Sequence, residues 1–442
     1  MNGKPEALER WFLVFLCLWG VGCLFLEALA AVGLVGCALG ALVAARWGGV
    51  TVRGALRAWA PLVAFLAWAL LAPLLSGHPP SGTGVARLLD FAGIPVAAVA
   101  LGHLSEARRV RVAWVLGGVF LASCAVAGLQ HFGVWPAPED WAPLAWTRLP
   151  FDRVYEAVPG TESRFMAGGL LFHRLKFSHI GGMAVVFALG VGLRLQGRRR
   201  VVALSVAAVG LLSVGLFPYA RAASVALVAV MGLVVLLGLP RRVAVPTCAA
   251  VLGLAVLALA LNPPLRERFL NSATEQGSGS RSALLETGLC AVRESPLTGV
   301  GPGRFQARLW ATPDMPQQAR EHPGKSHNQF VSMAAETGVP GAMLFVVLLG
   351  WLAWRFPRNR PEGLGALGAL AFFCLLSLLH DPLFHTQASQ AFVLVLGAGL
   401  SSPRAAAPPK RSGGALPSRE QMQGRAPNMV TSHRAWLHQL SV

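Results

Sequence analysis

Residues Ser326–Gly341 read SHNQFVSMAAETGVPG and run directly into the apolar segment Ala342–Phe356. The stretch packs a His-Asn pair, a Glu, a Pro and two glycines against the start of a hydrophobic run. Polar and ionisable residues are costly at membrane depth, so their concentration at the border of an apolar segment marks a place where something polar is handled. His327, Asn328 and Glu336 are therefore the first candidates for chemistry, and the segment that follows sets the fold class.

That segment is one of many. Of 442 residues 54% are hydrophobic and 13% charged, with a mean hydropathy of +0.55, whereas soluble domains are about one-quarter charged. Apolar runs of about 18–22 residues recur along the chain, the length a helix needs to cross a bilayer. A transmembrane barrel would show alternating segments of about ten residues instead. The fold class is an all-α polytopic membrane protein with twelve expected spans: 11–27, 28–45, 56–76, 85–104, 110–131, 177–195, 201–218, 222–239, 243–261, 339–356, 363–379 and 386–401. The first two are so closely spaced that short or tilted helices are expected. Ala28-Leu29-Ala30 has the small-x-small form of a signal cleavage site, but the apolar run continues to Ala45, which favours an uncleaved hairpin.

The net charge of +18 reports topology before it reports partners, and no nucleic-acid partner is implied. Of the 38 Lys and Arg, 23 fall in the termini and in alternate short connections: Arg46, Arg53 and Arg57; Arg108, Arg109 and Arg111; Arg194 with Arg198–Arg200; Arg241 and Arg242; Arg355, Arg358 and Arg360. The positive-inside rule then puts both termini in the cytoplasm. Arg221, His327 and two long loops, 132–176 and 262–326, fall on the outer side. The seven cysteines form no Cys-x-x-Cys pair and imply neither a disulfide framework nor a zinc site.

The larger outer loop is expected to hold a helix over Arg281–Glu294, with Ser280 as its N-cap and Pro296 as its stop. A tight turn, Gly299-Val300-Gly301-Pro302-Gly303, follows, then a Pro- and charge-rich run, Asp314–Lys325. A short helix is expected over His327–Ala335 with Ser326 as cap, resting Phe330, Met333 and Ala334 on the membrane surface. Gly338 suits its C-cap and Pro340 the first turn of the next helix. The organisation read from these features is residues 1–169 (five spans and the first outer loop), 170–357 (the segment with the polar motifs), 358–402 (the last spans) and 403–442, a disordered cytoplasmic tail rich in Pro, Gly, Ser and basic residues.

Written as a pattern, His327-Asn328, nine residues, Gly338, two residues, Gly341 resembles the signature of the O-antigen ligase family, which also includes O-antigen and exopolysaccharide polymerases. Three further places fit: Tyr219-Ala220-Arg221-Ala222-Ala223-Ser224, Ser280-Arg281-Ser282, and Leu297–Phe305 with its Gly-x-Gly turn. The resemblance covers about residues 170–357. Ala220 departs from it where Ser is usual before the Arg, and His179 departs where ligases often have Pro-Asn.

The resemblance implies transfer of a glycan from undecaprenyl diphosphate to an acceptor hydroxyl, on lipid A-core or a growing glycan. The implied setting is the outer, periplasmic face of a bacterial inner membrane, among membrane lipids. No cofactor, nucleotide sugar or metal is implied. In this picture Arg221 and Arg281 hold the diphosphate, using a guanidinium that stays charged when partly desolvated. His327 is the base for the hydroxyl, and Asn328, Arg174 and Lys325 contact substrate. Gly338, Gly341, Gly299 and Gly301 shape the backbone, and a single displacement inverts the anomeric carbon. The lean is toward ligase over polymerase.

Plainer readings stand beside each of these. His327 can be an interfacial His without chemistry, Arg221 a snorkelling residue, and Arg281 one of several cations in its loop. Arg174, Lys176 and His179 can mark a membrane boundary, Glu336 a solvated helix end, and His380, Asp381 and His385 a polar turn too sparse for a metal. A twelve-span transporter of lipid-linked sugars is the rival from another class. It calls for charges lining the middle of the spans, where this chain has few. An assembly scaffold is the third reading, and it would tolerate loss of His327 and Arg281.

Overall fold

The computed structural model describes residues 4–134, 156–161, 163–270, 275–305 and 326–401, with the backbone alone for 4–5 and 275–281. Lys325, the Asp314–Lys325 run, the 403–442 tail and the Arg281 side chain lie outside the described residues. Among the described residues the fold is all helical, apart from one isolated antiparallel bridge between Ala157 and Phe165. In chain order the helices are α1 Lys4–Leu24, α2 Glu27–Trp47, α3 Val52–Ala58, α4 Ala60–Leu75, α5 Gly82–Leu89, α6 Gly93–His103, α7 Glu106–His131 and α8 Arg174–Arg194. They continue with α9 Gly197–Leu216, α10 Arg221–Gly238, α11 Arg241–Leu261, α12 Pro263–Leu270, α13 Glu275–Glu294, α14 Gln329–Arg355, α15 Pro361–Ser377 and α16 Thr386–Leu400.

A helix stands at each of the twelve expected positions. Among the described residues nine helical segments are long and apolar enough to cross a membrane, with α5 and α6 counting as one. The number is ten if α3 and α4, bent by 91°, form a single span. The apolar helices α15 and α16 are shorter, at 17 and 15 residues. The protein is a polytopic helical membrane protein.

The first hairpin differs from expectation. Both α1 and α2 run for 21 residues, because α1 begins in its charged turn. Glu6 and Arg10 pair at 2.6 Å across one helical turn, and Arg108 reaches Glu9 at 3.2 Å. Paired charges of this kind let a polar turn stay helical.

The helix α8 lies at the centre, packed by α9, α10, α15 and α16. Two-thirds of its apolar window (67%) is buried, against 6% for α11, which stands at the rim. Lipid is as apolar as leucine, so close packing drives helix association in place of water exclusion. Gly190 of α8 and Gly365 of α15 supply it: a Cβ on Gly190 would come within 2.6 Å of the Gly365 Cα. Phe65, Phe91 and Phe345 meet at 5.5–5.8 Å and tie α4, the Asp90–Ala92 turn and α14 together. Phe373 stacks on Phe392 at 4.0 Å between α15 and α16. This packing brings the start of α8, the start of α14 and the α15–α16 turn to one end of the bundle.

Candidate functional site

The chain enters α14 through a tightly bonded cap. Asn328, not Ser326, is the N-cap: its Oδ1 accepts from the N–H groups of Phe330 (3.0 Å) and Val331 (3.2 Å). Such a cap is worth about 1 kcal/mol. The Ser326 hydroxyl bonds the Asn328 carbonyl (2.7 Å) and the Ser332 hydroxyl (2.8 Å) instead. The helix therefore starts at Gln329, two residues later than expected. Phe330 and Met333 also differ from expectation. Met333 is buried and Phe330 packs on the apolar core near Phe345, so this face rests on protein.

His327, between Ser326 and Asn328, has φ 55°. A left-handed conformation is uncommon for a side chain with a Cβ, costs about 1–3 kcal/mol, and persists only where surrounding contacts impose it. The α15–α16 turn supplies contacts at that point. Asn328 Nδ2 donates to the Leu378 carbonyl (3.3 Å), Gln329 N to the His380 carbonyl (3.2 Å), and Leu383 N to Gln329 Oε1 (3.1 Å).

The four expected motif glycines cluster around a break in α14. Gly338 breaks the helix with φ 74° and ψ 168°, freeing backbone groups that the Gly299–Gly303 turn then takes up. Val300 N donates to the Ala335 carbonyl (2.8 Å), Gly301 N to that of Glu336 (3.0 Å), and Val339 N to that of Pro296 (2.8 Å). A Cβ on Gly338 would strike the Leu297 carbonyl oxygen, and one on Gly299 would lie 2.5 Å from the Glu336 carbonyl. Trp68 Nε1 caps the Thr337 carbonyl at 3.0 Å, and Gly341 faces Trp68 and the Thr337 side chain. The kink in α14 is thus gripped from two sides.

Arg174 and Arg221 each begin a helix, where the positive end of the helix dipole already favours anions. Arg174 Nε meets Glu156 at 2.5 Å, and Arg268 reaches the same carboxylate at 3.9 Å. Arg221 donates to the Arg268 carbonyl oxygen. Tyr219, buried and left-handed (φ 53°), shapes the turn before α10 with its hydroxyl near Asn262 (3.3–3.4 Å). Arg268 and Glu156 escaped the sequence reading: each falls in a charged stretch between the apolar runs, where no spacing separates it from its neighbours.

Between the arginines and His327 runs a file of imidazoles. His173 lies 5.2 Å from His385, His385 6.0 Å from His179, His179 5.4 Å from His380, and His380 5.8 Å from His327. His179 and His380 are 2% and 7% exposed. His173 caps α8 by accepting from Lys176 N at Nδ1 (3.3 Å), which places the neutral ring's proton on Nε2. The Lys176 ammonium donates to Gln387 Oε1 (3.0 Å). The sequence holds these residues in three separated groups, 173–179, 327 and 380–385, and the helix packing merges them. Among the described residues no three His, Cys, Asp or Glu converge on a metal position.

On the other flank of the α14 entry, Arg87, Gln329, Ser332, Glu336, Asp381 and Phe384 line a cavity of about 40 Å³, room for roughly three waters. The arrangement thus offers cations at two helix starts, a titratable ring at the surface of the bundle, and a polar cavity beside it. Such a set can hold an anionic group, remove a proton from a hydroxyl and accommodate a polar substrate.

No curated protein matches the chain. The family model described as O-antigen ligase matches residues 218–346, a segment that begins just before Tyr219, takes in Arg221, Arg281 and the Gly299–Gly303 turn, and ends in α14 beyond His327. His173–His179 and His380–His385 lie outside it. Over that segment the protein, a helical membrane protein, is similar to the O-antigen ligase family.

Proposed function

We propose that the protein transfers a glycan from undecaprenyl diphosphate to an acceptor hydroxyl on lipid A-core, at the periplasmic face of the inner membrane, with both termini in the cytoplasm. The match of residues 218–346 to the O-antigen ligase model supports glycan transfer of that type; the donor, the acceptor and the orientation are this proposal's own. The observation that supports it best is the placement of His327 and the arginines at one end of the bundle, joined by the histidine file.

The chemistry follows from charge. A diphosphate leaves with growing negative charge, and guanidinium groups stabilise that charge most at the transition state. Arg221 and Arg174 serve that role here, with Arg268 beside them, and the resemblance adds Arg281 and Lys325 to the set. His327 takes the hydroxyl proton as the acceptor oxygen attacks, and Asn328 fixes its backbone. One displacement without a covalent enzyme intermediate inverts the anomeric carbon. No step calls for a nucleotide or a metal.

The test is the surface glycan of host cells in which the gene is deleted and restored as wild type or as His327→Ala. Bare lipid A-core with accumulated lipid-linked polymer in the deletion identifies a ligase. Core bearing a single repeat, or loss of an exopolysaccharide alone, identifies a polymerase of the same family. Removing a general base costs about 10²–10⁴-fold in rate, so His327→Ala is expected to fail to restore the pattern. Full restoration would remove His327 from the chemistry and bring the transporter and scaffold readings forward.

A further inference from the structure

The reaction above uses one of the five clustered histidines and leaves four unexplained. We propose that His380, His179, His385 and His173 relay a single proton from His327 to the arginine group at Arg174, so that the proton taken from the acceptor hydroxyl ends on the departing diphosphate. The proposal rests on reading His327 as the base and the arginines as the diphosphate seat.

The geometry is that of a path. Each ring lies 5.2–6.0 Å from the next, centroid to centroid, and each inner ring touches two others. Ring nitrogens lie off the ring centre, so these spacings permit a direct hydrogen bond or one bridging water once a ring turns about its soft terminal torsion. Imidazole suits the task because it can accept a proton on one nitrogen while releasing another from the opposite one. A metal centre would need rings converging on a point, and among the described residues none do.

Charge sets the capacity and the direction. Two adjacent imidazolium ions repel, so the file holds one extra proton at a time. Asp381 adjoins His380 in sequence and lines the cavity with Glu336 and Arg87. Arg174 and Lys176 flank the far end, with Glu156 on Arg174 and Glu27 within electrostatic reach of Lys176. At rest the cations at Arg174 and Lys176 disfavour the proton near His173 and leave it toward the His327 end. Negative charge growing on the leaving group beside Arg174 reverses that balance. Atoms and electrons close: the acceptor oxygen bonds the anomeric carbon, the bond from that carbon to the phosphate oxygen breaks with its electron pair on the phosphate, and the proton passes to that phosphate. The transfer takes up and releases no net proton.

The test uses full-length protein in phospholipid vesicles, supplied with lipid-linked glycan and acceptor extracted from cells lacking the gene. His380→Phe and His179→Phe keep a ring but remove its nitrogens. The saturated rate is expected to fall by about 10- to 100-fold, with a changed pH–rate profile and a donor KM that stays within about twofold. Added imidazole is expected to restore part of the rate of His380→Ala. An unchanged rate and pH profile would overturn the relay while His327→Ala stays inactive, leaving the reading of the base intact. A raised KM without imidazole rescue would overturn it in favour of a packing role. Zinc held stoichiometrically by wild type and lost by His380→Phe would overturn it in favour of a metal site. If His380→Phe fails to fold, as judged by its thermal transition, His380→Gln takes its place. Full activity of His327→Ala would remove the underlying reading itself.

Discussion

Glu156 stands where the proposed donor would need to be. Its carboxylate bridges Arg174 at 2.5 Å and Arg268 at 3.9 Å, the kind of partner a phosphate oxygen replaces. Both partners of the closer pair are partly exposed, 25% for Arg174 and 44% for Glu156, so the pair itself contributes little stability. Its main effect falls on ligands, which must displace it. Glu156→Gln removes the competing charge, and undecaprenyl diphosphate titrated onto the purified protein is expected to bind up to about fivefold tighter, the factor a pair worth about 1 kcal/mol implies. Unchanged or weaker binding would take Glu156 out of the anion seat. Nothing in the sequence distinguishes Glu156 from other loop carboxylates, because its partners lie on α8 and α12 and chain separation hides them. His327 and Arg221 are candidates because a motif points at them; the left-handed backbone of His327 is not visible in the sequence, since it is imposed by contacts from another helix pair.

At the scale of elements, α14 is two helices joined by a break, and the sequence locates that break well. Gly338 followed by Pro340 signals an end and a start, and the structure places φ 74° at Gly338. The upstream boundary was harder to read because Ser326 and Asn328 are both good N-caps and lie two residues apart. The side chain of Asn328 distinguishes them, accepting from Phe330 N and Val331 N and donating to the carbonyl of Leu378 just past the end of α15. The break also explains why the Gly299–Gly303 turn recurs beside it: the turn fills the hydrogen bonds the kink leaves open. Gly338→Ala places a methyl against the Leu297 carbonyl in a backbone region hostile to Cβ. It is expected to cost about 1–3 kcal/mol and to lower the thermal transition of the detergent-purified protein, with loss of glycan transfer. Gly350→Ala, on the same helix with open space around it, is expected to be neutral or to stabilise by up to about 1 kcal/mol. Equal effects from the two would show that the break is not held as described.

For the whole molecule, hydropathy located a helix at each of twelve positions, since bilayer thickness and backbone satisfaction leave few alternatives. It could not say which helices touch. That depends on close approaches such as Gly190 on Gly365, and these decide that α8 is central and that three distant histidine groups meet. Sidedness rests on charge alone: Arg194 and Arg198–Arg200 at the α8–α9 connection, against the site end where α8 begins. Labelling can test it directly. In a variant with all seven cysteines replaced by alanine, Ser163→Cys lies exposed before α8 and Arg198→Cys lies exposed on the first turn of α9. A membrane-impermeant maleimide applied to spheroplasts is expected to modify Ser163→Cys at once and Arg198→Cys only after lysis. The two positions flank α8, whose 21 residues span about 30 Å, so opposite accessibility also establishes that α8 crosses. The reverse pattern would put His327 and the arginines in the cytoplasm, where a periplasmic glycan on a lipid diphosphate cannot reach them. Labelling of both positions from outside would mean that α8 does not cross, and the central helix of the bundle would need another explanation.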